Sequence, residues 1–164
     1  PRRIEVYDNS HIQGDKALGA MVVAGPDGFV KGQYRKFNIK TAQTNDDFAM
    51  MREVMTRRFA RALEQDPDRE QSGETGVWPD LVLIDGGKGQ MSSVKDALEE
   101  LGIEDVPLIA IAKGPHHGRE GREVFHFPDG REKMLPGNAP LLFHWQSLRC
   151  RVHRYVTALY VRRR

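Results

Sequence analysis

Cysteine is nearly absent from this sequence, and long apolar runs are absent altogether. Cys150 is the single cysteine among 164 residues, which excludes an internal disulfide and a zinc site made of several cysteines. One free thiol fits a reducing compartment, so we expect a cytoplasmic protein. No apolar run approaches the ~18 residues that a membrane-spanning helix requires, and no secretory signal is recognisable. We therefore expect a soluble protein without a membrane partner.

Acidic residues are missing from the C-terminal part of the chain. Residues 138–164 contain six arginines and no acid, which leaves 19 basic and 23 acidic residues before them. The formal net charge of +2 hides this polarity. A basic end is typical of proteins that contact a polyanion such as nucleic acid, although a solvated arginine surface explains the same pattern.

A nucleotide-binding loop is missing as well. The stretch Gly86-Gly87-Lys88-Gly89 is rich in glycine, but it lacks the G-x-x-x-x-G-K-[ST] spacing that cradles nucleotide phosphates. No nucleotide cofactor is expected. The composition, 39% hydrophobic and 29% charged, is that of an ordinary globular domain. The length fits one compact domain over residues 1–164.

The pattern of apolar residues predicts an α/β protein whose elements follow the order βββαβαβ, with a hairpin and a terminal helix added. The first strand is predicted to end at Asp8, with a turn after it. Residues 18–24 and 29–39 are predicted to form an antiparallel hairpin. Residues 45–47 supply N-capping chemistry for the first long helix.

The second half of the chain alternates strands and helices. After the stretch LVLIDGGKGQ, residues 81–90, a helix is predicted to end at Gly102, and residues 107–113 are predicted to form a buried strand. A hairpin should turn at Asp129-Gly130, and the last helix should begin near Pro140. The helix then presents a core stripe of Trp145, Leu148, Val152, Val156 and Leu159.

Two carboxylates are predicted to meet at the sheet. Asp85 follows four aliphatic residues and precedes two glycines, which is typical of a buried parallel strand that opens into a ligand-binding loop. If the first and fourth strands pair in parallel, Asp8 and Asp85 face each other. Each has a simpler interpretation, because Asp85 can cap the next helix and Asp8 can begin an Asx turn.

Paired carboxylates are unfavourable unless they share a proton or a cation. Hard divalent cations such as Mg²⁺ and Mn²⁺ take oxygen ligands of this kind and support phosphodiester hydrolysis. His153 is the best candidate for a third group, because it lies with Gln146 and Arg149 at the edge of the stripe on the last helix. A hydrogen-bonded packing histidine is the alternative interpretation.

Several ordered blocks together closely resemble one family, the C-terminal endonuclease domain of UvrC in bacterial nucleotide excision repair. The resemblance covers nearly the whole chain. The blocks are VYDNSHIQG at 6–14, YRKFNIK at 34–40, DDFAMMREV at 46–54, LVLIDGGKGQ at 81–90 and LRCRVHRY at 148–155. The resemblance implies a ribonuclease H-like fold and a Mg²⁺ or Mn²⁺ requirement. It also implies hydrolysis of damaged double-stranded DNA on the 5′ side of the lesion.

The resemblance implies specific site residues. The family's catalytic and metal-binding set falls on Asp8, Asp85 and His153, and a further acid of the third block, a supporting candidate, falls on Asp47. Other residues in the matching blocks are candidates for contact with DNA phosphates. These are Tyr34, Arg35, Lys36, Lys88, Gln90 and Arg149.

The chain departs from the family pattern in its last block and in its extent. Family members commonly have two acids where this chain has Cys150 and Arg151, so a DNA-binding or assembly module with weakened or lost catalysis is the alternative function. Full-length members also carry a second nuclease domain, a segment that contacts the helicase-like UvrB subunit, and helix-hairpin-helix motifs. We therefore expect this chain to be a fragment of a multidomain protein. A resolvase or transposase of the same fold is a third possibility.

Overall fold

The computed structural model consists of eight strands and three long helices within the residues that it describes. The described residues are 2–12, 16–42, 46–69, 76–113, 123–134 and 140–161. The strands are β1 (Ile4–Ile12), β2 (Lys16–Gly25), β3 (Gly28–Phe29), β4 (Arg35–Asn38), β5 (Leu81–Asp85), β6 (Leu108–Lys113), β7 (Glu123–His126) and β8 (Glu132–Met134). The helices are α1 (Asp47–Gln65), α2 (Lys88–Glu100) and α3 (Pro140–Val161).

All the strands belong to one mixed sheet. Their order is β3-β2-β1-β5-β6-β7-β8, and β4 also pairs with β2. β5 lies between β1 and β6 and is parallel to both, whereas the other pairs are antiparallel. The parallel pairing of the first strand with the strand of LVLID confirms the arrangement that the sequence predicted.

Side chains alternate between the two faces of the sheet, as the pleat of a strand requires. In β1, Tyr7 packs with the buried residues of α1 and α2, whereas Ile4 and Val6 pack with α3. We call these the α1 face and the α3 face. Because Asp8 follows Tyr7, its side chain belongs on the α3 face, where the last helix lies.

The helices begin and pack as the sequence predicted. Asp46 is the N-cap of α1, and its side chain accepts a hydrogen bond from the backbone N–H of Ala49 at 3.0 Å. The predicted stripe of α3 is buried from Trp145 to Leu159. Gly102 follows α2 with a φ of +75°, a conformation that glycine adopts without strain.

Two predictions about the N-terminal strands were wrong. β1 does not end at Asp8, since Asn9 to Ile12 continue to pair with β2. The strand predicted over residues 29–39 is interrupted by a 3₁₀ turn at Lys31–Gln33. In that turn Gln33 N–H donates to Val30 O and Tyr34 N–H donates to Lys31 O. Those local bonds replace the ladder bonds of a continuous strand, so β3 and β4 are separate elements.

Some expectations lie outside the described residues. They include residues 138–139, before α3, and residues 162–164 of the basic C-terminal part. In the part of the chain that is described, no helix combines the length and the apolar character needed to cross a membrane.

Glu53 ties the segment after β4 to α1, and this predicts a pH dependence of stability. Its carboxylate accepts hydrogen bonds at 2.8 Å from the backbone N–H groups of Lys40, Thr41 and Ala42. Burial raises the pKa of Glu53, but these hydrogen bonds outweigh burial and lower the pKa to about 2. A carboxyl whose pKa is lower in the folded state stabilises the fold above its unfolded pKa, and that stabilisation is lost on acidification.

We expect the contribution of Glu53, about 1 kcal/mol at neutral pH after solvent screening, to disappear as the pH falls from about 4.5 to about 2. Urea unfolding of the parent and of Glu53→Gln at several pH values measures it. The difference between the two proteins should shrink over this window. A difference that is constant with pH would contradict the assignment.

Candidate active site

Asp85 is the last residue of β5, directly before the turn into α2. The backbone N–H of Gly86 donates to Ile111 O at 3.1 Å, and the N–H of Gly87 donates to the side-chain oxygen of Gln90 at 2.9 Å. A Cβ on Gly86 would lie 2.7 Å from the Gln90 side chain, so the turn requires glycine. Gln90, rather than Asp85, therefore caps the start of α2.

Asp8 lies beside Asp85 on the same face of the sheet. The last parallel pair between β1 and β5 is Tyr7 with Ile84, and each aspartate is the next residue of its strand. Their side chains are 16% and 12% exposed. The two carboxylates are thus close together and only slightly open to solvent.

His153, on helix α3, completes a cluster of three residues with Asp8 and Asp85. Its Nε2 lies 2.8 Å from Asp85 Oδ2 and 3.2 Å from Asp8 Oδ2. One ligand atom from each residue lies within 4.8 Å of the other two. The imidazole is 49% exposed, so the cluster opens to solvent beside α3. The sequence predicted that Asp8 and Asp85 face each other and offered His153 as the third group, and the structure brings the three side chains together.

The electrostatics of the cluster suit a cation. Burial, and after it the charge of Asp85, raises the pKa of Asp8 to about 7, against opposing effects of His153 and Arg149. The raised pKa means that two adjacent carboxylates are not readily ionised together. A divalent cation would relieve this repulsion, and two carboxylate oxygens with one imidazole nitrogen form a suitable donor set for it.

Arg149 connects the cluster to a further buried acid. Its Nε lies 3.4 Å from Asp85 Oδ2, and its Nη1 donates to Glu123 Oε1 at 3.0 Å. Glu123 is 7% exposed, and burial raises its pKa although Arg149 opposes the effect. Arg149 lies on α3 one helical turn before His153. Its guanidinium and the imidazole of His153 therefore both contact Asp85 from this helix.

The sequence matches a known family over almost its full length. The family model described as "UvrC RNAse H endonuclease domain" matches residues 1–157. This chain belongs to that family. Its mixed sheet with helices on both faces is the ribonuclease H-like architecture that the family's description names, which confirms the predicted fold class.

Curated relatives of this UvrC endonuclease domain are much longer than the chain itself. "UvrABC system protein C" of Novosphingobium aromaticivorans is 81% identical over 94% of the chain and 23% of the relative. The protein of the same name from Sphingopyxis alaskensis is 62% identical over 94% of the chain and 24% of the relative. The chain thus spans about a quarter of the length of these relatives.

Among solved structures, the catalytic domain of human Endonuclease V is similar with a TM-score of 0.48 and 16% identity, over 81% of this chain and 62% of that one. RNase H1 of Halobacterium salinarum has a TM-score of 0.36 and 15% identity, over 67% and 85%. Similarity at these values says nothing about the activity of the UvrC domain.

Two of the other predicted residues, Lys88 and Gln90, lie at the start of α2, and a third, Asp47, lies on α1. Lys88 is exposed at the first position of α2, free to approach an anion. Gln90 uses its side-chain oxygen within the protein, on Gly87. Asp47 lies in the first turn of α1 and does not belong to the cluster of Asp8, Asp85 and His153 among the described residues.

The remaining predicted residues lie on and before β4. The ring of Tyr34 packs edge-on against Tyr155 of α3, with centroids 5.1 Å apart. Arg35 and Lys36 are exposed, and Arg35 Nη1 donates to the backbone oxygen of Tyr34 at 2.9 Å. Lys36 pairs with Ala20, which also pairs with Asp8. Lys36, Ala20 and Asp8 are therefore directly opposite one another on neighbouring strands, and their side chains lie on the same face of the sheet.

Sequence reasoning missed two buried acids that contact arginines. Glu123 precedes the apolar residues of the predicted hairpin and belongs to no motif, yet it contacts Arg149. Glu5 lies in β1 and is fully buried under α1, where it contacts Arg3 and Arg58 at 2.8 and 2.7 Å. No sequence signal marked Glu5, because a charged residue between Ile4 and Val6 is what a half-buried, alternating strand contains.

Proposed function

We propose that this UvrC domain is a divalent-metal-dependent endodeoxyribonuclease that cuts the damaged strand on the 5′ side of a lesion in nucleotide excision repair. One observation carries the proposal. Asp8, Asp85 and His153 come from three separate elements, and their ligand atoms lie within 4.8 Å of one another. The membership of the chain in the family of UvrC endonuclease domains supports the reaction class.

The cluster fits a bound Mg²⁺ or Mn²⁺. Asp8 Oδ2, Asp85 Oδ2 and His153 Nε2 would hold the ion, and their mutual approach is the supporting geometry. When bound, such an ion polarises a phosphoryl oxygen and lowers the pKa of a water molecule. If His153 is not a ligand, its Nε2 is the group placed to accept the proton of the attacking water.

DNA would bind through its phosphates. Arg149 beside Asp85, Lys88 at the start of α2 and the exposed Lys36 of β4 supply positive charge near the cluster. Such contacts position a strand without reading its bases. In-line displacement then leaves a 5′ phosphate and a 3′ hydroxyl. Recognition of the lesion would be left to other parts of the protein and to a UvrB-type subunit.

The departures from the family pattern leave the cluster intact. Cys150 is exposed, and the guanidinium of Arg151 lies over the ring of Phe29 at 4.4 Å from its centroid. Arg151 therefore points towards β3 rather than towards Asp85. The geometry favours a catalytic domain over a binding module that has lost its activity.

Metal removal provides the direct test. We expect nicking of supercoiled plasmid to stop in EDTA and to return when Mn²⁺ or Mg²⁺ is restored, because the ion would polarise the phosphoryl oxygen and lower the pKa of the attacking water. DNA ligase should reseal the nicks, since it requires a 5′ phosphate beside a 3′ hydroxyl. DNA binding without any nicking in Mn²⁺ would favour the binding module, and nicking that persists in EDTA would overturn the metal requirement.

The position of the cut needs a separate test. A duplex with one defined lesion, incubated with the chain and a UvrB-type subunit, should be cut on the 5′ side of the lesion in the damaged strand. Preferential cutting of branched DNA would instead favour a resolvase.

A further inference from the structure

A second charged site lies on the α1 face, away from the catalytic cluster. A cavity of about 460 Å³ opens between α1, β4 and the residues before β5. Six cationic residues line it, and none of its lining residues, all of them described, is acidic. The cations are Arg3, Arg35, Lys36, Arg57, Arg58 and Arg61. Cavities of this volume are typical of ligand sites.

The positive charge of this basic cavity is only partly balanced. Glu5 contacts both Arg3 and Arg58, and Glu53 contacts Arg57 at 3.2 Å. Two carboxylates thus serve three guanidinium groups. Within the described part of the chain no carboxylate lies within ion-pair distance of Arg35, Lys36 or Arg61.

Arg58 provides an independent sign of an unmet hydrogen-bond donor. Its side chain is 8% exposed, and its Nε is buried with no hydrogen-bond acceptor among the described residues. Buried donors normally have an acceptor, and a cationic concave surface with low-dielectric walls concentrates anions. The basic cavity is therefore suited to an anionic ligand.

β4 connects the basic cavity to the catalytic side of the sheet. Arg35 pairs with Met21, whose side chain is on the α1 face, whereas Lys36 pairs with Ala20, whose side chain is on the α3 face. Lys36 is also in the row of Asp8, about 10 Å away at the usual spacing of strands. Positive charge thus continues from the catalytic face, around the β4 edge, to the cavity.

This continuity favours one long polyanion over a separate small anion. We propose that the basic cavity binds phosphate groups of a single-stranded DNA segment that continues from the strand held at Asp8, Asp85 and His153. The guanidinium fork matches phosphate oxygens. The segment must be single-stranded, because a duplex with a persistence length of about 150 base pairs cannot turn around one sheet edge. The proposal rests on the nuclease function proposed above.

Arg61 is the residue that tests the basic cavity. It is exposed on α1 and makes no ion pair within the described residues, so Arg61→Gln should preserve the fold. Arg52 on the same helix contacts Glu100 instead and does not line the cavity. Arg52→Gln is therefore a control with the same change in residue type and charge.

Fluorescence anisotropy with a labelled single-stranded oligonucleotide, in EDTA to prevent cleavage, measures binding by the 164-residue chain. We expect Arg61→Gln to weaken binding roughly tenfold and to lower the slope of log affinity against log salt by about one. Arg35→Gln combined with Arg61→Gln should weaken binding further, and Arg52→Gln should bind like the parent. Urea unfolding checks that each variant is folded.

Equal oligonucleotide binding by the parent and Arg61→Gln would overturn the proposal. A polyglutamate peptide that binds more tightly than the oligonucleotide, and loses affinity in Arg61→Gln, would assign the cavity to an acidic protein segment instead. Binding in EDTA does not depend on catalysis. Failure of the nuclease proposal would appear as plasmid nicking that Asp8→Asn leaves unchanged, so the two failures are distinguishable.

Discussion

Replacing Asp85 by asparagine is expected to lower the rate of plasmid nicking in Mn²⁺ by about 10³-fold or more, and Asp8→Asn should do the same. The reason is the geometry of the cluster, in which one oxygen of each aspartate lies within 3.2 Å of His153 Nε2. Asparagine keeps the size of the side chain but removes the charge that holds a divalent cation. Loss of metal-derived stabilisation of several kcal/mol corresponds to a rate loss of this size.

A variant with both changes separates a shared role from independent roles. Groups that act as a unit give strongly non-additive losses, so the double variant should be little slower than either single variant. Asp96→Asn is the matched control, because Asp96 is exposed on α2 and does not belong to the cluster. Nicking by Asp85→Asn at the parent rate would rule out the proposed catalytic site.

The second large effect is expected on stability, from Glu5→Gln. Glu5 is fully buried, and its Oε2 lies 2.8 Å from Arg3 Nε and 2.7 Å from Arg58 Nη2, while the hydroxyl of Tyr7 donates to Oε1. Glutamine has the same shape but no charge, so two buried guanidinium groups lose their counter-ion. Removing one partner from a buried ion pair typically costs about 3–5 kcal/mol.

Urea unfolding followed by circular dichroism measures this loss. A loss of this size is a large fraction of the roughly 5–15 kcal/mol that stabilises an ordinary domain, so the midpoint should fall clearly. Glu104→Gln is the control, because Glu104 is exposed, and exposed substitutions usually change stability by less than about 0.5 kcal/mol. If Glu5→Gln and Glu104→Gln unfold at the same urea concentration, the network under α1 does not contribute as described.

The role of Asp85 could be predicted from the sequence, whereas the role of Glu5 could not. Asp85 was suggested by its place after four aliphatic residues and before two glycines, a pattern that depends only on local chemistry. Glu5 alternates with Ile4 and Val6 as a solvent-facing residue would, and its partner Arg58 lies 53 residues away. Only the packing of α1 on β1 shows that these charges meet.

Local pattern also gave an incomplete account of β1 and β4. Asn9 and Ser10 suggested a turn after Asp8, but pairing with β2 keeps the strand going to Ile12. Residues 29–39 contained enough β-forming residues to suggest one strand, yet the 3₁₀ turn at Lys31–Gln33 divides it. In β1, hydrogen bonds from β2 outweighed the local preference for a turn. At residues 31–34, local turn hydrogen bonds instead replaced those of a continuous strand.

The sequence by itself determined the class of this protein and the residues of its candidate site. Three features can be identified from the sequence alone. They are the apolar periodicity, Asp85 with the two glycines after it, and the ordered blocks of the UvrC endonuclease domain. The tertiary structure decided what lies near what. It placed His153 beside both aspartates, joined Arg149 to Glu123 and gathered the cations of the basic cavity. Such distances depend on how strands and helices pack. Packing is set by contacts between residues far apart in the sequence, which local sequence patterns do not predict.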